Sequence, residues 1–203
     1  MPPLSPSEGD PLAERDIALM RLVQRGDMEA FRELVETHQH RVAGTIARMV
    51  GSGFDYAELA HEVFVRVWKS AARYEPSARF TTWLLTITRN LVLNEFRYRS
   101  RHATVPLSPL TSDPHEAASE LPLPDLSCPS PDGALQEAEL LEAIEKALLA
   151  LPENQRTAVI LRRHEGLSYE DIASVLRTSV ASVKSLLFRA RTQLREALRE
   201  HLD

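Results

Sequence analysis

A proline-rich segment in the middle of this 203-residue chain sets the main limit on its fold. Between His102 and Gly133 there are seven prolines, at positions 106, 109, 114, 122, 124, 129 and 131. Each proline fixes its φ angle and lacks an amide donor, so we expect no helix of normal length here. Several leucines remain, but few aromatic or branched residues are present to build a core. The sequence therefore predicts a linker, either a simple spacer or a stretch of chain guided by some surface.

The segments on both sides of this linker have the apolar periodicity of α-helices. In the first segment Ile17, Met20 and Val23 recur three residues apart, and the second contains a similar stripe that starts at Leu141. The alternation typical of strands is absent from the first segment. We therefore predict an all-α protein with two small helical domains joined by a flexible linker. The predicted divisions are a disordered tail 1–15, a first domain 16–101, the linker 102–133 and a second domain 134–203.

Charged residues are distributed unevenly along the chain. The net charge is −5, yet the segments 89–101 and 177–199 are rich in arginine. Acidic residues gather in the first 75 positions, in the middle and in the segment 137–145. This asymmetry predicts a basic face for DNA phosphates and acidic faces for another partner, with weak binding to free duplex DNA.

Cysteine usage and hydropathy limit where the protein works. The single cysteine, Cys128, excludes a disulfide within the chain and fits a reducing compartment. No run of 18 or more apolar residues is present, and the first ten residues lack the basic and apolar parts of a signal peptide. We therefore expect a cytoplasmic protein with no membrane insertion.

The sequence near the C-terminus has the pattern of a helix-turn-helix. Ser168 is a good N-cap, Asp171 completes a capping-box-like pair, and the small Ala173 allows a second helix to cross closely. The turn carries Arg177 where glycine is frequent, which would cost about 1 kcal/mol if its backbone were left-handed. A helix from about Val180 would then fit the DNA major groove. Its predicted groove-facing residues are Lys184, Ser185, Phe188, Arg189 and Arg191. The alternative is an ordinary helical hairpin with a solvated basic face.

Signatures of enzymes and cofactor sites are missing from the sequence. It has no glycine-rich phosphate loop, no His-Glu-x-x-His motif and no serine elbow. His38 and His40 would point about 200° apart on a helix, which disfavours a shared metal ion. We therefore expect a protein that is not an enzyme and holds no cofactor or metal. A dimeric regulator that binds a palindromic duplex tightly by itself remains the alternative among DNA-binding proteins.

Motifs in both blocks make the chain resemble the sigma-70 family of bacterial transcription initiation factors, in its compact extracytoplasmic-function group. In the first block these are Glu58-Leu59, Glu62-Val63-Phe64, Trp68, Phe80-Thr81-Thr82-Trp83-Leu84 and Arg89-Asn90. In the second they are Leu151-Pro152-Glu153, Arg156, Glu165-Gly166-Leu167-Ser168-Tyr169, Ile172-Ala173, Val183-Lys184-Ser185 and Arg189-Ala190-Arg191. Their order on either side of a linker makes the resemblance highly specific.

The resemblance implies that the two domains are sigma regions 2 and 4. Region 4 would read the minus-35 promoter element as duplex, although Leu186 stands where an arginine is common in the group. Region 2 would hold the melted minus-10 strand, and aromatic platforms with cationic neighbours suit unstacked bases. The residues implied for the minus-10 element are Tyr74, Phe80, Trp83, Asn90, Asn94 and Arg97. The alternative is that these aromatic rings belong to the core.

The resemblance also implies protein partners. Core RNA polymerase would be bound through its β′ clamp helices and β flap, and the linker would enter the polymerase active-site cleft and RNA exit channel. The residues implied for binding the clamp helices lie on one predicted helix: Asp55, Glu58, Leu59, Glu62 and Phe64. The three acids among them recur at i, i+3 and i+7 and so share one side of that helix. A solvated helix face is the alternative. The family also implies an anti-sigma factor as a partner.

Overall fold

The computed structural model describes residues 11–51, 54–76, 79–102 and 131–199. Within these ranges the chain forms helices and no strand, as the sequence predicted. The first domain contains α1 (Pro11–Val23), α2 (Met28–Val50), α3 (Tyr56–Ser70), a 3-10 turn (Ala71–Arg73) and α4 (Phe80–His102). The second contains α5 (Pro131–Ala150), α6 (Glu153–Arg163), α7 (Tyr169–Leu176) and α8 (Val180–Ala197).

Helix α1 begins at Pro11, five residues before the predicted start at Asp16. Proline is favourable at the first position of a helix, because its missing amide would have no partner there anyway. Asp16 itself is buried, and its carboxylate lies 2.8 Å from Nε2 of the buried His38 on α2. This contact ties α1 to the bundle, so residues 11–15 belong to a folded helix and not to the predicted tail.

The first domain packs its four helices around one apolar core. Met20, Leu34, Ile46, Val63 and Leu84, which come from all four helices, are completely buried in it. Asp27 and Asp55 cap α2 and α3 by accepting hydrogen bonds from the backbone amides that follow them. Gly51 ends α2 with φ +68°, and a β-carbon at this position would lie 2.6 Å from Cδ1 of Leu149 on α5, so Leu149 would have to shift.

The second domain has its own core, formed mainly by α6, α7 and α8 and centred on Leu161, Ile172, Val183 and Ala190. The predicted linker lies largely outside the described residues, as does Cys128. Helix α4 extends to His102 and α5 begins at Pro131, so the last residues of the predicted linker are already helical. Proline at the first helical position again permits this.

The cores of the two domains interlock. Leu85 of α4 is 1% exposed and belongs to the core of the second domain, whereas Ile160 of α6 is fully buried in the core of the first. Burial of such a side chain stabilises a fold by about 1.5–3 kcal/mol. The two domains are therefore packed together in this structure, which the spacing of apolar residues along the sequence did not predict.

Candidate nucleic-acid interface

The predicted helix-turn-helix is present in α7 and α8. The hydroxyl of Ser168 accepts a hydrogen bond from the amide of Asp171 at 3.0 Å, and Ser179 caps α8 in the same way through the amide of Ser182. Arg177 ends α7 with φ 52° and ψ 50°, and among the described residues it is the only one besides glycine with positive φ. The backbone of Arg177 is thus left-handed, which for a residue with a β-carbon costs about 1 kcal/mol.

Helix α8 has one buried and one exposed face. Val183, Leu187 and Ala190 point into the core. The five predicted groove-facing residues are all exposed, and Phe188 is 72% exposed although it is large and apolar. These five lie on the side of the helix away from the buried stripe: Lys184, Ser185, Phe188, Arg189 and Arg191.

Four of the predicted minus-10 residues lie on one stripe of α4. Trp83, Asn90, Asn94 and Arg97 follow spacings of seven, four and three residues, which brings them within a narrow arc of the helix. Asn94 and Arg97 line a 490 Å³ groove between α3 and α4, whereas Asn90 lines a neighbouring 320 Å³ cavity. Arg66 lines both cavities, so they form two parts of one groove beside this stripe.

The other two predicted minus-10 residues, Tyr74 and Phe80, are 4% and 1% exposed. Their rings contact each other and both contact Trp83, with centroid distances of 5.1–6.0 Å. In this structure neither ring offers an exposed face for stacking on a base. They are core residues, as the alternative had it, because the 3-10 turn and the start of α4 fold them inward, and they support the half-buried Trp83.

Burial of the Tyr74 hydroxyl costs free energy of folding. Its hydroxyl has no hydrogen-bond partner among the described residues. Burial, assisted by the negative charge of Asp16, raises the pKa of Tyr74 to about 12. An unsatisfied buried hydroxyl destabilises a fold, so packing of the ring against Phe80 and Trp83 must contribute more stability than this burial costs.

The five predicted polymerase-binding residues of α3 do not share one face. Asp55 uses its carboxylate to cap the helix, whereas Glu58 is exposed. Glu62 forms an ion pair with Arg66 at 2.9 Å, and this hydrogen bond lowers the pKa of Glu62. Leu59 lies beside them towards α4. Phe64 is 6% exposed and lies on the opposite side of the helix, towards α2, so it does not share a face with Glu58 and Glu62.

An apolar groove that was not predicted from the sequence lies between α2 and α3. It has a volume of about 660 Å³, and Phe31 and Trp68 form an edge-to-face pair beside it, with centroids 5.0 Å apart. Phe31, Val35, Phe64 and Trp68 are helical residues whose spacing alone fits a closed core equally well. Only the packing of α2 against α3 leaves this side open. The main apolar residues that line it are Phe31, Val35, Ala43, Phe64, Val65 and Trp68.

Polar contacts between the domains lie on a side of α4 that is about 100° around the helix from the Trp83 stripe. The hydroxyl of Thr82 donates to the carboxylate of Asp171 on α7 at 3.1 Å. Arg89 donates from Nη2 to the Asn154 side chain at 3.0 Å, while its buried Nε has no partner among the described residues. Desolvation lowers the pKa of Arg89. The side of α4 next to the Trp83 stripe therefore holds the second domain, and the stripe itself remains partly or fully exposed.

The described ranges contain no group of three or more side chains arranged to hold a metal ion. His38, considered above as half of a histidine pair, is committed to Asp16 inside the bundle, and His40 is exposed. No helix within those ranges combines the length and the hydropathy needed to cross a membrane.

Known protein families match both domains of this chain. The sigma-70 region 2 model matches residues 34–102, and the sigma-70 region 4 model matches residues 141–194. The RNA polymerase sigma-H factor of Pseudomonas aeruginosa is 36% identical over 186 residues, which cover 91% of this chain and 94% of that protein. The ECF RNA polymerase sigma-E factor of Escherichia coli K12 is 32% identical over 177 residues, which cover 87% and 90%.

Two solved structures share the fold. One is CnrH in complex with the cytosolic domain of CnrY, with a TM-score of 0.65, 21% identity and coverage of 92% of this chain and 98% of that one. The other is the sigma factor RpoE from Bartonella quintana in complex with the anti-sigma factor NepR, with a TM-score of 0.62, 24% identity and coverage of 83% and 96%. The chain therefore belongs to the sigma-70 family and is an extracytoplasmic-function RNA polymerase sigma factor, an alternative sigma factor that directs transcription initiation.

Proposed function

We propose that this sigma factor reads two promoter elements in two different states, one with each domain. The first domain would bind core RNA polymerase and the melted minus-10 strand, and the second would bind the minus-35 element as duplex. The observation that carries this proposal is the presence of two separate surfaces of nucleic-acid chemistry, one on α4 and one on α8. The predicted linker between the domains allows both surfaces to act on one promoter.

The exposed face of α8 supports binding in the major groove of duplex DNA. Arg189 and Lys184 flank Phe188 on this face. Arginine and lysine donate to the guanine acceptors of the major groove, and apolar side chains contact thymine methyl groups. We infer that Lys184, Ser185, Phe188 and Arg189 read bases and that Arg191 contributes charge beside them.

The Trp83 stripe of α4 supports binding of an unstacked strand. Trp83 offers a half-buried ring that Tyr74 and Phe80 hold in place, and Asn90 and Asn94 offer donors and acceptors for base edges. Stacking on an aromatic ring contributes about 1–3 kcal/mol per base. Capture of extruded bases by such a surface makes melting depend on sequence. Arg97, at the far end of the stripe, would contact the phosphate backbone.

We infer that the two domains separate when both elements are bound. Elements about 25 base pairs apart, as their names imply, span roughly 85 Å of B-form DNA at about 3.4 Å per base pair. In this structure α7 contacts α4 through Thr82 and Asp171, and α8 packs directly on α7. A helix of 18 residues such as α8 is only about 27 Å long. The packed arrangement is thus too short to reach both elements.

For polymerase binding we propose the exposed side of α3 with Glu58 and Glu62, together with the apolar groove between α2 and α3. The carboxylates of Glu58 and Glu62 suit a basic surface, and an open apolar groove of this size suits a helix of a partner protein. These surfaces would meet the β′ clamp helices, and the second domain would meet the β flap. Because the chain has a net charge of −5, we expect polymerase to supply most of the affinity for DNA.

An anti-sigma factor is also part of this proposal. CnrH was solved with the cytosolic domain of CnrY and RpoE with the anti-sigma factor NepR, and both share the fold of this chain across most of its length. A partner that covers the apolar groove or holds the domains together would keep this sigma factor from polymerase. Co-purification of an inhibitor that is released when the groove residue Phe31 is changed to Glu would support this part.

The experiment that tests the proposed function is run-off transcription with purified bacterial core polymerase and this protein on a genomic promoter library. Defined start sites with shared elements upstream would support the proposal, and their absence would contradict it. A parallel duplex-binding assay without polymerase tests the dimeric-regulator alternative, which requires tight binding to a palindrome by the protein alone.

A further inference from the structure

We propose that the buried pair of Asp16 and His38 positions the ring of Trp83 for base capture. The pair acts through Phe80, whose ring contacts both His38 and Trp83. This inference rests on the proposed function, since it assumes that Trp83 stacks on an unpaired base. Asp16 lies on α1, before residue 34, where the match to the sigma-70 region 2 model begins. Helix α1 would thus take part in promoter opening without touching DNA.

Three contacts link α1 to the Trp83 stripe. Nε2 of His38 lies 2.8 Å from the carboxylate of Asp16, and both side chains are 2% exposed. The imidazole ring packs on Phe80, with the ring centroids 5.2 Å apart. The Phe80 ring lies 6.0 Å from that of Trp83, at an interplanar angle of 42°. Rotation of the imidazole would therefore displace Phe80 and, with it, the support of Trp83.

The hydrogen bond fixes the orientation of the His38 ring. The χ2 torsion of histidine has broad minima, so packing alone leaves the ring some freedom. A bond from a ring nitrogen to a buried carboxylate restricts that freedom. Attachment of α1 does not need a polar pair, because Met20 and Val23 of this helix are buried in the apolar core. An ionisable pair in a core also adds little stability compared with apolar residues of the same volume. We therefore assign the pair to the geometry of this core.

A cavity beside Phe80 makes this support necessary. It has a volume of about 100 Å³ and lies at the domain boundary, where Asp16 and Phe80 line it together with Leu85 and Leu167. Next to an unfilled space a side chain lacks the close packing that fixes its position elsewhere in a core. The position of Phe80 therefore depends on its contacts with other rings, and His38 is the one whose orientation a hydrogen bond determines.

The experiment replaces both partners at once, with Asp16→Ala and His38→Leu in one protein. Alanine and leucine together occupy about the volume of the native pair, and neither is left as a buried polar group without a partner. Asp16→Asn is the conservative variant, because its amide oxygen can still accept a hydrogen bond from His38. Met49→Ala is the matched control for lost stability, since Met49 is buried on α2 about 16 Å along the helix from His38.

Time-resolved fluorescence anisotropy of the free protein measures the order of the Trp83 ring. The chain has two tryptophans, so every protein in this measurement carries Trp68→Phe. We expect faster and wider motion of Trp83 in the pair replacement and native behaviour in Asp16→Asn and Met49→Ala. An unchanged anisotropy decay in the pair replacement would overturn the proposal.

The affinity of the holoenzyme for a single strand is the second measurement. The holoenzyme is formed from the full chain and core polymerase, and the probe is a dye-labelled strand with the minus-10 element of a promoter mapped by run-off. We expect the pair replacement to lower this affinity by about 3- to 10-fold, which is the cost of ordering one side chain on binding. In a Trp83→Ala background the replacement should cause no further loss, because the pair acts through that ring. An equal loss in both backgrounds would limit the pair to a role in folding and overturn the proposal.

Phe80→Leu tests the same path if the pair replacement does not fold. It keeps the pair and an apolar side chain but removes the ring that joins His38 to Trp83. We expect the same gain in motion of Trp83 as in the pair replacement. A Trp83 ring as ordered as in the native protein would contradict the proposed path, and urea unfolding checks the stability of each variant.

Failure of this inference can be separated from failure of the proposed function. If the native holoenzyme binds a scrambled strand as tightly as the minus-10 strand, the minus-10 proposal fails. The anisotropy of Trp83 in the free protein would still report whether the pair positions this ring.

Discussion

Glu165 and Arg41 form an ion pair at 3.1 Å across the boundary between the two domains. Glu165 lies in the turn between α6 and α7 and its side chain is 6% exposed, whereas Arg41 lies on α2. The carboxylate also accepts a hydrogen bond from the buried hydroxyl of Thr45. Charged hydrogen bonds to a buried carboxylate are among the stronger polar contacts in proteins. This residue therefore helps to fix the second domain against the first.

We predict that Glu165→Gln shifts the free protein towards separated domains. Loss of the charge weakens both contacts, and a cost of about 1 kcal/mol changes the ratio of packed to separated forms roughly fivefold. Energy transfer between dyes on Glu36→Cys and Arg195→Cys, in a Cys128→Ser background, measures this ratio. Glu33→Gln is the matched control, because Glu33 pairs with Arg15 within the first domain. Equal transfer in both variants would contradict the prediction.

We predict that Arg189→Ala weakens initiation by about 1–3 kcal/mol and alters the preferred minus-35 sequence. Arg189 is exposed on the face of α8 that would enter the major groove. Run-off transcription on a set of minus-35 variants measures both effects. A loss that is uniform over all variants would make Arg189 a phosphate contact. Arg195→Ala is the control, since Arg195 lies in the last turn of the same helix.

We predict that Trp83→Ala impairs promoter opening and that a pre-melted template relieves the defect. The variant would lose the stacking of the half-buried Trp83 ring on an unpaired base, and this stacking contributes about 1–3 kcal/mol. Permanganate reactivity of the minus-10 strand measures opening. Trp83→Phe keeps a ring that can pack on Tyr74 and Phe80, and circular dichroism checks the fold of each variant. Normal opening by the alanine variant would limit Trp83 to a role in the core.

We predict that Tyr74→Phe is at least as stable as the native protein near neutral pH and gains further as pH rises above 10. The change removes a buried hydroxyl that has no partner among the described residues. Because burial raises the pKa of Tyr74 to about 12, the native fold is penalised as pH rises from the ordinary value near 10 towards 12. The difference in free energy of unfolding between the two proteins should reach up to about 2 kcal/mol.

Urea unfolding of both proteins across this pH range provides the measurement. Tyr56→Phe is the control, because Tyr56 is 46% exposed. A native protein that stays more stable than Tyr74→Phe at every pH would show that the hydroxyl is satisfied.

We predict that Arg177→Gly stabilises the second domain by up to about 1 kcal/mol. A left-handed backbone costs an arginine about 1 kcal/mol and costs glycine almost nothing, although glycine also stabilises the unfolded chain. Arg177→Gln separates the backbone effect from charge, since Arg177 also repels Arg89 across the domain boundary. Thermal unfolding of the three proteins measures the gain. If glutamine stabilises as much as glycine, charge and not backbone strain is the cause.

The sequence by itself determined that both domains are helical and where α7 and α8 are capped. Ser168 and Asp171 lie three residues apart, and the hydrogen bond between them forms within one turn. The exposed residues of α8 opposite Val183 and Leu187 follow from the helical period in the same local way. Such features depend on contacts between residues three or four positions apart, so the local sequence pattern predicts them.

Only the tertiary structure decided which faces of these helices are covered. Thr82 and Asp171 are 89 residues apart in the chain, and no local pattern predicts that they meet. The same holds for Leu85, which is buried in the core of the other domain, and for Tyr74, whose ring is as compatible with a DNA surface as with a core. A helical period fixes which residues share a face, but the free energy of burial depends on which other helix covers that face.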